Sequence, residues 1–426
     1  MILNRTTEPD ISIPDTVSFK EVEETILKNN TSLYVLNAGT QDLCRIEVIF
    51  KAAEIHSSIP LVATAVNDLL DSGTKNKTAF EIAESFDYYG AYLQTESNPD
   101  YTSVKLYTLN KHLPKTLPLL KEILTDAIFP ADELETYKQQ NYQRLKINNE
   151  KVDYLARKKF YASIFNPQHP YGYEINEEHY KSLSSDLLLD FYQKSYPLNN
   201  AFILVSGKFS DKDLNEIENH FNDYPVSEKN SSSPFASPQI SFSAQQKIRI
   251  EKENAVQSAI RIGRSWHDKT QPDFQQMIIT TTILGGYFGS RLMKNIREDK
   301  GYTYGIGCSV SSFLQSGFIS ISTQVGKDVC EPALAEIYKE IEMLRTSAVV
   351  IEELTLVKNY LFGTFQRSID GPFALADKFK NIKVFNLGYD YYYNYLKLLK
   401  NATPEMVQKT AADYLNPQNL IVVVAG

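Results

Sequence analysis

The sequence predicts an α+β fold built from two similar domains. One observation is a repeat, since YQKSYPLNNAFILVSG at 192–207 resembles AADYLNPQNLIVVVAG at 411–426. Each copy predicts a helix end, a Pro/Asn turn and an apolar strand closed by Gly. The copies are offset by 426 − 207 = 219 residues, about half of the 426-residue chain. This period indicates a duplicated domain, because solenoid repeats span about 20–50 residues.

The helical segments fit the same duplication. In the first half, residues 117–145 predict a helix, a short break and a second helix, and residues 334–365 predict the same pattern in the second half. Both segments place apolar residues at i, i+3, i+4 and i+7, the spacing of an amphipathic helix.

Strands are predicted where short apolar or alternating runs occur, at 45–52, 102–109, 317–325 and 420–426. Helices separate these runs irregularly. The arrangement therefore favours helices packed on a largely antiparallel sheet over a regular βαβ alternation.

A polar segment separates the halves. Residues 222–239, NDYPVSEKNSSSPFASPQ, are rich in Ser, Pro and Asn and have no apolar periodicity, which is typical of an exposed linker. We predict a first domain at 1–221, a linker at 222–240 and a second domain at 241–426.

Composition excludes several classes of function. Hydrophobic residues make up 42% and charged residues 23%, as in a folded globular protein. The net charge of −8 argues against nonspecific binding to nucleic acid or to an anionic membrane. The sequence contains no run of about 18 apolar residues, so no membrane span is predicted. The three scattered cysteines form no CxxC pair, so neither a disulfide framework nor a cysteine zinc site is expected.

The polar first residues, MILNRTTEPDISIPD, contain no apolar signal core. We therefore expect a cytoplasmic protein, or a periplasmic one if a signal peptide has been removed.

Arg297 and Tyr304 are the candidate binding residues. We expect a helix to end near Lys300 and Gly301, where Gly can adopt a left-handed cap, and a strand to begin near Tyr302. Both side chains can then face one cleft, where Arg supplies planar donors and the Tyr hydroxyl can donate to a developing oxyanion. From spacing alone, ordinary roles are favoured: a helix-capping Arg and a Tyr on a sheet face.

Three glycines, Gly285, Gly286 and Gly289, precede this pair. The chain contains neither GKS/GKT nor GxGxxG, so phosphate binding is not expected. We predict that these glycines allow close backbone approach, either to another helix or to an extended peptide.

Together these residues resemble the pitrilysin/insulinase family of zinc peptidases, in the branch that includes mitochondrial processing peptidase and its bacterial relatives. The resemblance rests on LGGYFGSRLMKNIREDKGYTYGIG at 284–307, HPYG at 169–172, the SGT to YGA run at 72–91 and the two strand endings. It implies two α+β domains per chain, with paired chains closing as a clamshell around a peptide. One half of the clamshell would hold zinc through an inverted HxxEH helix and a distant Glu, and the other would supply the Arg/Tyr pair.

The zinc site is where this chain departs from the family. The HxxEH positions fall on Thr64, Asn67 and Asp68, and the distant Glu falls near Tyr142 or Gln143. A zinc site needs several imidazole and carboxylate ligands in one shell, and here only Asp68 could bind a cation. No two of the six histidines lie three to five residues apart. A site assembled from distant residues is left open but nothing favours it.

The leading hypothesis is a zinc-less subunit of a heteromeric metallopeptidase. Its partner would be a homologous subunit that bears HxxEH and zinc, and its substrate a peptide oriented by Arg297 and hydrogen-bonded by Tyr304. The alternatives are a scaffold or peptide-binding protein of the same fold, and a lone peptidase with an unfamiliar site. The family implies peptide addition to a sheet edge, and residues 93–107 are our candidate strand for it.

Overall fold

The computed structural model describes residue 6, residues 17–224, residue 226 and residues 246–426. They form two mixed sheets with helices, and the predicted α+β class is confirmed. The first sheet has the order β1-β2-β6-β3-β5-β4, and the second has the order β7-β11-β8-β10-β9. Their strands are β1 (Glu23–Ile26), β2 (Ser32–Asn37), β3 (Leu43–Phe50), β4 (Tyr92–Ser97), β5 (Thr102–Leu109), β6 (Ala201–Gly207), β7 (Gln246–Ile250), β8 (Gln257–Trp266), β9 (Ile306–Ser312), β10 (Gly317–Gly326) and β11 (Ile421–Ala425).

The helices form most of the remaining described structure. In the first half they are α1 (Val62–Asp68), α2 (Ala79–Tyr88), α3 (Leu113–Asp126), α4 (Ala131–Asn149), α5 (Val152–Phe165), α6 (Glu177–Lys181), α7 (Ser185–Ser195) and α8 (Asp211–Asn222). In the second half they are α9 (Phe274–Thr281), α10 (Cys330–Thr346), α11 (Ile351–Arg367), α12 (Gly371–Lys383), α13 (Asp390–Asn401) and α14 (Pro404–Tyr414). The two predicted helix pairs are confirmed as α3 with α4 and α10 with α11.

The repeated strand endings occupy equivalent places in the two sheets. β6 pairs parallel with β2 and antiparallel with β3. In the same way, β11 pairs parallel with β7 and antiparallel with β8. The repeat seen in the sequence therefore corresponds to one strand position used twice.

Each sheet packs one face against helices of its own half. A helix of the opposite half packs against its other face. Helix α5 of the first half packs on β8 and β11, through a cluster that includes Phe160, Phe318 and Val423. Helix α12 of the second half packs on β2 and β6, through a cluster that includes Leu204, Ala376 and Phe379. The two halves therefore exchange one helix each.

One sequence expectation changes in detail. Residues 93–107 form a hairpin, with a turn between Ser97 and Thr102, rather than a single strand. The turn is fixed by the Asn98 side chain, whose oxygen accepts hydrogen bonds from the main-chain N–H groups of Asp100 and Tyr101. Of this hairpin, β4 is the edge strand of the first sheet.

Most of the predicted linker lies outside the described residues. Asn222 is the last residue of α8, and Tyr224 is buried against the helices of the first half. The domain boundaries stay predictions. Among the described residues, no helix is long and apolar enough to span a bilayer.

Candidate functional site

The segment that carries Arg297 is wound as a π-helix. Residues Met293–Asp299 adopt this wider winding, and so does Thr282–Gly286 before them. Short π segments are rare and occur often at functional sites. The helix closes with the Lys300 N–H donating to the Asn295 carbonyl at 3.0 Å, and Gly301 has φ +66°. The predicted helix end with a left-handed glycine is confirmed.

Tyr304 lies in a loop and not in a strand. The next strand, β9, begins at Ile306, so the prediction of a strand start near Tyr302 is wrong. The physical reason is the Thr303 side chain, which replaces strand pairing. Its hydroxyl lies 2.9 Å from the Gly305 carbonyl oxygen and 2.7 Å from the Gln324 carbonyl oxygen.

Further hydrogen bonds fix both ends of this loop. The Tyr302 N–H donates to the Ile296 carbonyl at 3.0 Å, and the Gly305 N–H donates to the Thr303 hydroxyl at 3.1 Å. Tyr304 itself stays 93% exposed. The loop therefore presents an aromatic hydroxyl to solvent from an anchored main chain.

The Arg297 guanidinium has no acidic partner among the described residues. Its Cζ atom lies 4.5 Å from the ring centroid of Phe288, and no hydrogen bond or ion pair is formed with any other residue that the structure describes. Arg291, one and a half turns earlier, is different because it makes a bidentate pair with Glu353 at 2.8 and 2.7 Å. Arg291 thus fixes the segment on α11, while the guanidinium N–H groups of Arg297 donate to no other residue that the structure describes.

The three glycines divide into two kinds. Gly285 is buried against β9, where a Cβ atom would lie 2.6 Å from the main-chain nitrogen of Cys308. This close approach is intramolecular, so the room that Gly285 leaves is filled by β9. Gly286 and Gly289 are exposed. At Gly289 a Cβ atom would lie 2.8 Å from the Tyr287 ring, so this glycine lets that ring fold over the turn.

In the first half, Thr64 is engaged at the start of α1. Its hydroxyl donates to Glu54 Oε1 at 2.9 Å, and its main-chain N–H donates to the same oxygen at 3.0 Å. The other Glu54 oxygen accepts from the Leu61 N–H at 3.0 Å. Burial raises the pKa of Glu54, and the hydrogen bonds from Thr64 oppose this rise. Glu54 therefore caps the free N–H groups of the helix.

Asn67 is fully buried and ties α1 to the sheet. Its amide donates to the Ser97 hydroxyl at 3.1 Å, and its oxygen accepts from the Tyr196 hydroxyl at 3.0 Å. Tyr196 Oη also lies 3.3 Å from the hydroxyl of Thr102. This neutral network satisfies the polar atoms of Asn67 without an ion.

Asp68 and Gln143 are not brought together. The α4 residue that contacts Asp68 is Tyr137, whose hydroxyl donates to Asp68 Oδ2 at 3.2 Å. Gln143 is exposed, and six residues correspond to about 600° of helix rotation, so its side chain leaves α4 on a different side from Tyr137. Tyr142 instead donates to Glu177.

The donor set at these positions does not fit zinc. The hydroxyl of Thr64 and the amide of Asn67 are committed to neighbours, which leaves one carboxylate. Within residues 17–224 and 246–426, no group of three or more His, Cys, Asp or Glu has a geometry that could hold a metal ion.

The HPYG segment joins the two halves. Tyr171 donates to Asp100 of the first sheet's β4–β5 turn, and Asp100 also accepts from the Leu314 N–H of the β9–β10 turn at 2.9 Å. The His169 ring accepts from the Tyr171 N–H at 3.1 Å and contacts Gln315 at 3.2 Å. Burial raises the pKa of Asp100 to about 6. The contacts of the His169 ring are therefore with neighbours in the fold.

Sequence reasoning missed two residues of interest, Phe288 and Asp100. Phe288 lies in the motif quoted above. The only sequence feature that could have indicated a role for it is an aromatic residue between two glycines. Asp100 had a weaker signal, a turn sequence of Asn, Pro and Asp, because its partners come from distant segments.

Comparisons with known proteins agree with this geometry. Residues 62–176 match the model of the family described as Insulinase (Peptidase family M16), and residues 182–361 match that of the Peptidase M16 inactive domain. This chain belongs to the M16 peptidase family. The first match begins with α1, which bears Thr64, Asn67 and Asp68, and the second contains Arg297 and Tyr304.

Its relatives carry both peptidase and non-peptidase names. The chain is 25% identical over 300 residues to an uncharacterized zinc protease YmxG of Bacillus subtilis, covering 70% of this chain and 72% of that protein. It is 22% identical over 358 residues to the non-peptidase homolog YmxG of Helicobacter pylori, covering 82% and 79%. The crystal structure of a peptidase M16 inactive domain from Pseudomonas fluorescens matches with a TM-score of 0.83 at 22% identity, covering 96% and 98%.

Proposed function

We propose that this protein is the zinc-less subunit of a two-chain metallopeptidase and completes the site of an HxxEH-bearing homologue. The observation that carries the proposal is the contrast between two arginines of one motif. Arg291 forms an ion pair with Glu353, whereas Arg297 has no acidic partner among the described residues. Tyr304, seven residues after Arg297, is 93% exposed.

In this proposal each residue has one task. The planar donors of Arg297 bind a carbonyl or carboxylate oxygen of an extended peptide and set its register. The Tyr304 hydroxyl donates to the carbonyl oxygen that gains negative charge during cleavage. A donor held before the reaction stabilises that charge with little reorganisation, and the anchored loop around Thr303 supports this role.

The edge strand β4 supports a peptide-binding role. It pairs with β5 on one side only within the described sheet, so its outer main-chain groups can pair with an added strand. Chemistry at the metal belongs to the partner, since Thr64, Asn67 and Asp68 do not fit zinc. The cytoplasmic location stays a prediction.

The test is cleavage of a quenched fluorescent peptide by this chain, by an HxxEH-bearing homologue from the same genome, and by their mixture. We expect activity in the mixture alone. Arg297→Ala and Tyr304→Phe should each lower turnover of the mixture by about 100- to 1000-fold, because each removes one transition-state or substrate donor. Size-exclusion chromatography should show that both variants still form the complex.

Matched controls come from exposed residues of the same types in the first half. Tyr88 is 81% exposed on α2, and Arg157 is exposed on α5. Tyr88→Phe and Arg157→Ala should leave turnover within about twofold. Unchanged turnover in Arg297→Ala and Tyr304→Phe would exclude the proposed roles of these residues.

A scaffold function is the second candidate, favoured by the Helicobacter pylori relative named as a non-peptidase homolog. It predicts a stable complex with the homologue whose properties do not depend on Arg297 or Tyr304.

A further inference from the structure

Phe288 is a built feature that the proposed function does not use. It lies in the turn Tyr287–Ser290 between the two π segments and is 61% exposed. Large apolar side chains at this exposure normally need no explanation when they are isolated. Phe288 differs because the Arg297 guanidinium lies over its ring and makes no hydrogen bond or ion pair with the residues that the structure describes.

The turn is anchored on both sides of Phe288. The Tyr287 ring packs against Tyr360 of α11, with centroids 5.0 Å apart. Gly289 makes room for the Tyr287 ring, and the Ser290 N–H donates to the Tyr287 carbonyl at 3.1 Å. These contacts hold the main chain of the turn while the Phe288 ring stays accessible.

The stacked pair offers two chemistries side by side. A guanidinium over an aromatic face is held by the cation–π attraction, and its N–H groups at the edge remain able to donate. The exposed remainder of the Phe288 ring can bury an apolar surface. One ligand fits both: an extended peptide with an acceptor oxygen for Arg297 next to an apolar side chain.

We propose that Phe288 is a specificity-determining residue that positions the Arg297 guanidinium and selects peptides with a large apolar side chain beside the bound carbonyl. The selection rests on the proposed peptide-binding function of this motif. Phe288 does not have a purely structural role, because its ring is exposed and lies outside the buried hydrophobic clusters of the described residues.

A binding measurement with this chain alone tests the selection. The probes are two fluorescein-labelled decapeptides of Ala and Gly, one with a single central Leu and one with a single central Ser, followed by fluorescence anisotropy. We expect the Leu peptide to bind at least about tenfold more tightly, the factor that corresponds to one good apolar contact. Phe288→Ala should abolish the difference, and Phe288→Tyr should restore it.

Two controls separate selection from folding. Phe80 is 74% exposed on α2, and Phe80→Ala should keep the preference for Leu. Arg297→Ala should weaken both peptides. Equal binding of the two peptides by the unmodified chain, including no measurable binding, would overturn the inference, and so would a preference that survives Phe288→Ala.

The outcome is separable from that of the proposed function. Cleavage by the mixture that depends on Arg297 and Tyr304 but is indifferent to Phe288 would remove the inference and keep the function. A preference for Leu that requires Phe288, with no cleavage by any mixture, would keep the inference and remove the two-chain peptidase.

Discussion

The two exchanged helices solve the same packing problem with different chemistry. Helix α5 meets the second sheet through hydrocarbon, with Ala156, Phe160 and Ile164 buried against strands β8 and β11. Helix α12 contacts the first sheet partly through ion pairs between charged side chains. Lys380 donates to Glu47 at 2.8 Å, and Arg45 pairs with Asp377 at 2.9 Å.

The charges under α12 are balanced and mostly buried, while the side chains of Asp377 and Glu96 are 51% and 40% exposed. Glu47 is fully buried, and Arg45 and Lys380 are less than a tenth exposed. Lys105 and Glu96 form a further pair beside them. Three cations therefore balance three carboxylates at this contact, and two of the ion pairs, Lys380–Glu47 and Arg45–Asp377, cross between the halves. A buried ion pair repays its desolvation only when its partners are complete. The comparison suggests that α5 supplies most of the attraction between the halves, while α12 fixes their alignment.

Removing Phe160 should have the largest effect. Its ring is 1% exposed, and it lies over Gly263 of β8, where a Cβ atom would come within 3.0 Å of it. Phe160→Ala should lower the free energy of unfolding by about 4–5 kcal/mol through lost burial and the cavity that remains. Urea denaturation measures this. Arg157→Ala, on the exposed side of α5, should change it by less than about 0.5 kcal/mol.

Breaking the ionic contact should cost slightly less. Lys380→Met leaves Glu47 buried without its closest cation and should destabilise the protein by about 3–4 kcal/mol. Lys378→Met is the matched control, because Lys378 lies on the same helix and no carboxylate of the described residues is within 4 Å of its ammonium group. It should cost less than about 1 kcal/mol.

The double variant Glu47→Leu/Lys380→Met sharpens the comparison. It leaves Arg45 with Asp377 and Lys105 with Glu96, so the remaining charges balance. The double variant should be more stable than Lys380→Met alone. If it is instead less stable by the full sum of both single changes, the ions stabilise the contact and the contrast with α5 fails.

Asp100 should give the smallest effect, and one that depends on pH. Its pKa is about 6 in the folded protein against an ordinary value of 3.8, because it is buried. Between these values the folded state keeps a proton that the unfolded state has lost. The contribution of Asp100 to stability therefore decreases as pH rises from about 4 to 6, by at most about 3 kcal/mol.

Urea denaturation of the unmodified protein and of Asp100→Asn at pH 4 and pH 7 measures this contribution. The free energy of unfolding of the unmodified protein minus that of the variant should decrease as pH rises. The other titratable groups contribute equally to both proteins and cancel in this difference. A difference that is constant or rises with pH would contradict burial as the dominant cause of the raised pKa.

Much of the site followed from short stretches of sequence, and the predictions that failed or stayed open depend on residues that are distant in sequence. The helix end at Gly301 was predictable because a glycine after a basic helix end favours a left-handed cap. The strand start was misplaced because the hydroxyl of Thr303 binds Gln324 of β10, a residue distant in sequence. The sequence predicted close backbone approach at Gly285 but could not name the neighbour, because Cys308 lies on another element.

The degenerate zinc positions show the same limit. The absence of HxxEH is a fact of the sequence alone, because metal ligands are defined by residue type. Which side chains surround Asn67 is decided by the fold. Ser97 and Tyr196 come from a strand and from the end of α7, and only folding brings them to Asn67.

The sequence by itself determined the α+β class, the duplication, the helix pairs and the absence of an HxxEH motif, since periodicity, repeats and residue types are local properties. The tertiary structure alone decided the exchange of α5 and α12, the ions beneath α12 and the stacking of Arg297 on Phe288. These features depend on which surfaces meet across the molecule. An amphipathic helix carries the same apolar spacing whether it covers its own sheet or its neighbour's.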